Sequence, residues 1–89
     1  MSTAVTNQAV APALRGQDAL VTLNQSDSAN LANFTIGQKA TVGSTSKVGY
    51  ISEIDTYGHT FRVKPQVPSG RFDSTASGYL SAAETVTVG

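Results

Sequence analysis

Eighteen consecutive residues, Lys47–Lys64 (KVGYISEIDTYGHTFRVK), constrain the fold more than any other stretch. They carry Val48, Tyr50, Ile51, Ile54, Phe61 and Val63, most of the large apolar side chains whose place can be read directly. Two runs rich in β-branched and aromatic residues flank a polar centre, Asp55-Thr56-Tyr57-Gly58-His59. Such residues favour a pleated strand, and Gly58 is the natural occupant of a turn position with positive φ, so the stretch predicts a central β-hairpin. The return arm, Thr60–Lys64, alternates cleanly: Phe61 and Val63 face inward, Arg62 and Lys64 outward. Pro65 ends it because it has no N–H for the ladder. The outgoing arm breaks alternation. Val48 and Tyr50 share a parity, Ile51 is adjacent, and Ile54 follows three later. Gly49 beside Tyr50 predicts a β-bulge there, of the kind small barrels use to turn corners.

Around the hairpin the chain reads as short strands and turns. Asp18–Leu23 is a strand with Ala19, Val21 and Leu23 on one face. Asn24–Asn33 is polar, with Ser26 or Asp27 as N-cap and room for one helical turn around Ala29–Ala32. Leu31 and Phe34, spaced i, i+3, would anchor it. Gln38–Val42 is a second strand with Ala40 and Val42 inward, and Gly43–Ser46 is a turn. Beyond the hairpin lie a loop at Gln66–Gly70, a strand or bend at Arg71-Phe72-Asp73 with Phe72 buried, and a turn at Ser74–Gly78. Tyr79 and Leu80 open a short strand, and Glu84–Val88 is a regular terminal strand with Val86 and Val88 on one face. No repeat or heptad is present. The fold class expected is all-β: a small barrel or sandwich of five to six short antiparallel strands.

Residues 1–16 (MSTAVTNQAVAPALRG) are different in kind. They carry no charge before Arg15, lack helical amphipathicity, and show Val5, Val10 and Leu14 as isolated apolar points. A strip of this composition orders only when something holds it. It is therefore expected to be an extended N-terminal arm lying on a neighbouring subunit, with residues 17–89 as the compact β-domain. Val86 and Val88 are expected to join Val5, Val10 and Leu14 as partner-binding residues, the terminal strand adding main-chain pairing. Deleting residues 1–14 is then expected to leave a folded domain that no longer binds.

Composition points the same way. A domain of 89 residues without cysteine has a thin core and no disulfide to supplement it, which favours oligomerisation. Charged residues make up 13% of the chain, against about a quarter in ordinary domains, and six basic residues cancel six acidic ones. Such a surface attracts neither nucleic acid nor anionic lipid, and suits one covered by neighbours. No basic segment leads into an apolar run, so neither a signal peptide nor a membrane span is expected, and the sequons at Asn24 and Asn33 are read as coincidental.

Catalysis finds no constellation. The single histidine, His59, lies in the predicted turn with Asp55 four residues away, and no thiol or second imidazole can join it on a metal. Glu53 and Asp55 share a parity, but Lys47, Arg62 or Lys64 can pair with them across the strands. There is no nucleophile elbow and no glycine loop for phosphate. The expectation is a non-enzymatic protein without cofactor or metal.

Two resemblances add to this. Gly49-x-Ile51-x-x-Ile54-Asp55, followed by Gly58 and Phe61-Arg62-Val63, is similar to the KOW pattern of SH3-like barrels over about 18 residues. It implies a strand, a glycine-assisted bend and a return strand in a small barrel, and an adaptor that binds protein or RNA. The whole layout (uncharged Ala/Thr-rich arm, Ser/Thr/Gly-rich β-domain, no cysteine, little charge) resembles phage virion proteins that decorate or cement capsids. That implies a head decoration protein in the virion, assembled in the host cytoplasm. Its partners would be the major capsid protein or other virion subunits, and the chain would form homo-oligomers, a trimer among them. A tail or connector component shares the same logic.

Overall fold

The alternating runs do form strands, and two more form within residues 1–16. A computed structural model of the chain describes residues 2–14, 16–43, 47–66 and 78–89. Its strands are β1 (Thr3–Thr6), β2 (Ala11–Pro12), β3 (Ala19–Thr22), β4 (Lys39–Val42), β5 (Lys47–Asp55), β6 (Thr60–Pro65), β7 (Tyr79–Leu80) and β8 (Thr85–Val88). One short helix, α1 (Gln25–Ser28), runs on into a 3-10 turn over Ala29–Asn33. Six strands form one antiparallel sheet in the order β1-β8-β4-β5-β6-β3, curled into a half-barrel, and β2 pairs with β7 in a separate ribbon. The fold is all-β and barrel-like. The expected strand or bend around Phe72, and most of the turns at 43–46 and 74–78, lie outside the described residues.

The β5–β6 hairpin sets the core. Ile51 pairs with Val63, but the next pair is Glu53 with Arg62, so Ser52 is the extra residue of a bulge. One inserted residue flips the parity of everything after it. That is why Ile51 and Ile54, three apart, both turn toward the core. The bulge expected at Gly49-Tyr50 therefore sits at Ser52. Gly49 stays in regular register, buried between Ala40 and Pro65. The Ser52 hydroxyl donates to Asp18 Oδ2 at 2.5 Å, a partner available only once the strand has bulged toward the approach to β3.

At the hairpin tip, Asp55 Oδ1 accepts from the Tyr57 and Gly58 amides at 3.1 and 2.9 Å. This Asx turn does the work expected of a glycine conformation. Positive φ falls on His59, at 59°, rather than on Gly58. Gly58 is constrained differently: a Cβ there would lie 2.6 Å from Asp55 Oδ2.

Inward-facing residues line up in rows across the sheet. Val5, Val86 and Val42 form one, Ala19, Val63 and Ile51 another, and Val21, Phe61 and Ile54 a third. Leu31 and Phe34 from the helical segment complete the core as expected, Phe34 meeting Phe61 edge-on at 5.4 Å. The cap is Asn24, two residues before Ser26 and three before Asp27, the caps expected, and its Oδ1 accepts from the Asp27 amide at 2.6 Å. Ala13 and Leu80 enter the same core from the β2/β7 ribbon.

The segment 1–16 is not an arm. Thr3–Thr6 pairs along β8 within the same sheet, and Val5 is 1% exposed. The reason is long-range: without β1 the outer edge of β8 is unpaired and the Val42–Val86 row stops short. β8 itself lies between β1 and β4, so it has no free edge to offer a neighbour.

Asn7, just after β1, fastens the curl. It is fully buried, and its Nδ2 donates to the carbonyls of Ala9 and Ser81 at 2.8 and 2.9 Å. Its Oδ1 accepts from the Thr22 amide at 3.0 Å, while the Gln8 amide donates to the Thr22 carbonyl at 2.8 Å. The two edge strands of the sheet, β1 and β3, are joined at this point.

Candidate functional site

The expected partner-binding residues separate into two groups. Val5, Val86 and Val88 are core residues, each at most 1% exposed, and cannot contact a partner in this fold. Val10 and Leu14 remain on the surface at 63% and 57% exposure. The physical reason is parity: buried Ala11 and Ala13 alternate with exposed Val10, Pro12 and Leu14 along the β2 segment. β7 adds to the same outer face. Tyr79 pairs directly with Pro12 and is 53% exposed, and the Leu14 side chain reaches over Gly78, where an added Cβ would lie 3.4 Å from Leu14 Cδ2. The ribbon thus presents Val10, Pro12, Leu14 and Tyr79 together. Sequence reading missed Pro12 and Tyr79, because their adjacency follows from a pairing between residues far apart in the chain.

Among the described residues the acidic and imidazole side chains do not converge. Among the described residues no three of the His, Asp and Glu side chains come within reach of one metal ion. Asp55 is occupied by its turn, and His59 sits in the turn with its carbonyl accepting from Leu23. Glu53 pairs with Arg62 at 3.7 Å, one of the cross-strand partners expected, and both side chains are solvated enough that the pair contributes at most about 1 kcal/mol. Among the described residues no helix is long and apolar enough to cross a membrane.

A second surface lies on the outward face of the central strands. Lys39 pairs with Tyr50 across β4–β5, and Tyr50 with Lys64 across β5–β6. Directly paired residues project on the same face with Cβ atoms about 5 Å apart, so the tyrosine stands between two lysines. All three are exposed, Tyr50 at 38%. An open cleft of about 420 Å³ adjoins Lys39 and Tyr50, lined by these two with Gly37, Val48, Gly49 and Gln66. Comparison with known protein families, with curated proteins and with solved structures gave no match.

Proposed function

We propose that the chain is a non-enzymatic structural subunit of a virus particle, of the head decoration kind, which contacts shell subunits through the outer face of the β2/β7 ribbon. The observation that carries this is the apolar strip of Val10, Pro12, Leu14 and Tyr79 on a domain with unusually little charge. Three of these side chains are each more than half exposed. Covering half a large apolar side chain contributes roughly 1 kcal/mol, so the strip offers about 3–4 kcal/mol. That falls short of the roughly 4–15 kcal/mol lost on association, so a single contact is weak. A lattice of sites, or a homo-oligomer presenting several ribbons at once, binds through avidity instead. The lack of converging acid–base groups among the described residues is consistent with a contact role.

The test is to purify particles from the source that encodes the chain and count its copies by mass spectrometry. A copy number that scales with the shell subunit, and that falls when Leu14→Ser and Tyr79→Ser are introduced, is the expected result. Absence from particles, with the chain recovered in the soluble fraction, refutes the reading.

A further inference from the structure

We propose that Lys39, Tyr50 and Lys64, with the cleft beside them, form a site for a ring-bearing phosphate monoester of mononucleotide size. The inference does not depend on the assembly reading, and the two surfaces share no residue.

Three observations converge. First, the two lysines are registered on either side of Tyr50 by strand pairing, not by chance proximity of loops. The sheet spaces adjacent strands about 4.8 Å apart, which puts the lysine stems roughly 10 Å from each other across the ring. Side chains as long as lysine can bring both ammonium groups onto one anion held above Tyr50. Second, among the described residues neither lysine has a side-chain carboxylate within salt-bridge distance, whereas Arg62 on the same face is engaged by Glu53. Counting side chains of the described residues, two positive charges face one dianionic monoester. Two charges do not match a long nucleic-acid strand, whose binding needs many more phosphate contacts. Third, the cleft is large enough for a single ring system. Val48 offers an apolar wall, Gln66 a side-chain amide, and Gly37 an opening, since a Cβ there would meet nothing within 4 Å. A flat ring can stack on the Tyr50 face while the amide and backbone groups at the rim accept or donate to its edge.

The same chemistry could arrive as a free mononucleotide or as the 5′-phosphorylated end of a single strand. The experiment is an NMR titration of the full chain with adenosine monophosphate, inorganic phosphate, adenosine, and a thymidine tetramer with and without a 5′ phosphate. Adenosine monophosphate is expected to shift Gly37, Lys39, Gly49, Tyr50 and Gln66 saturably below about 10 mM, with phosphate and adenosine each several-fold weaker. Lys39→Gln and Lys64→Gln are each expected to weaken binding roughly two- to fivefold, and raising salt to do the same. Lys39 and Lys64 are both exposed, so the variants test binding rather than folding. A phosphorylated tetramer that binds as well as the mononucleotide assigns a strand end, and a weaker one assigns the free nucleotide. The proposal is overturned by no saturable shift, by phosphate binding as tightly as the nucleotide, by an unphosphorylated tetramer binding equally well, or by lysine variants with unchanged affinity.

Discussion

Replacing Asn7 with alanine should remove a large part of the stability of this domain. The side chain is fully buried and makes three hydrogen bonds, two donated by Nδ2 to Ala9 and Ser81 and one accepted by Oδ1 from Thr22. Each such bond contributes about 1 kcal/mol net, and each partner left without water costs a further 1–3 kcal/mol. If water reaches half of the orphaned groups, the loss is about 4.5–7.5 kcal/mol. A domain of 89 residues has a total stability of roughly 5–13 kcal/mol, so the substitution takes away a third or more. Urea unfolding followed by circular dichroism measures it directly. With a slope near 1 kcal/mol/M for a chain this size, the midpoint should fall by about 4.5–7.5 M, or the variant should be unfolded in buffer. A loss below about 1 kcal/mol with an unchanged slope would show that the two sheet edges are not held by this residue.

Asn7→Asp sharpens the same test, because shape is kept and only the donors are lost. The new oxygen would face the Ala9 and Ser81 carbonyls in a buried site. The ionised form is disfavoured there by desolvation and by carbonyl repulsion, so the folded-state pKa rises above the unfolded value of about 3.9. The folded state then binds more protons than the unfolded state, and stability falls as pH rises through that window. The variant should be most stable in acid and lose stability toward neutrality, relative to the parent chain. Flat relative stability between about pH 3 and pH 7 contradicts the buried assignment.

Three further perturbations follow from the same packing. Val5→Ala should cost about 2–3 kcal/mol by emptying part of the Val5–Val86–Val42 row, while Val10→Ala at 63% exposure should stay within about 0.5 kcal/mol; paired thermal melts compare them. Deleting residues 1–6 should accordingly give an unstable chain by circular dichroism, the reverse of what a detachable arm would do. Ala83→Gly should raise the urea midpoint by up to about 1 kcal/mol equivalent, because Ala83 holds φ at 68° and its amide donates to the Asn7 carbonyl.

What could be read in the chain was what is local. Phe61 and Val63 announced their faces by strict alternation, and the terminal strand by its regular valines. Leu31 and Phe34 announced an anchor by spacing alone. β1 was illegible because Thr-Ala-Val-Thr is short and built from small residues; it is a strand only because β8, some 80 residues later, offers an edge. The broken alternation between Ile51 and Ile54 did signal a bulge, and those residues bracket Ser52. Glycine drew the assignment to Gly49, although the bulge is held by a Ser52–Asp18 hydrogen bond that no local pattern shows. The Lys39–Tyr50–Lys64 row is farther still from sequence, since it needs two strand registers known at once.

The placement of β1 also changes how this protein can meet a partner. Strand addition needs an edge with unpaired main-chain groups. β8 has none, being flanked on both sides. On β1, the Thr6 amide is taken by Asp27 Oδ2 at 3.0 Å and the Thr6 carbonyl by Gln8 Nε2 at 3.3 Å. On β3, both main-chain groups of Thr22 are taken by Asn7 and Gln8. The sheet edges are therefore blunted by the chain's own side chains where they approach each other. The two surfaces proposed above, an apolar one on the ribbon and a basic–aromatic one on the central strands, use side chains rather than these edges. Partner binding should accordingly respond to Leu14→Ser, Tyr79→Ser or Lys64→Gln. It should be indifferent to Ala4→Pro on the outer strand, provided circular dichroism shows that variant to be folded, whereas loss of binding by a folded Ala4→Pro chain would restore strand addition as the mode of contact.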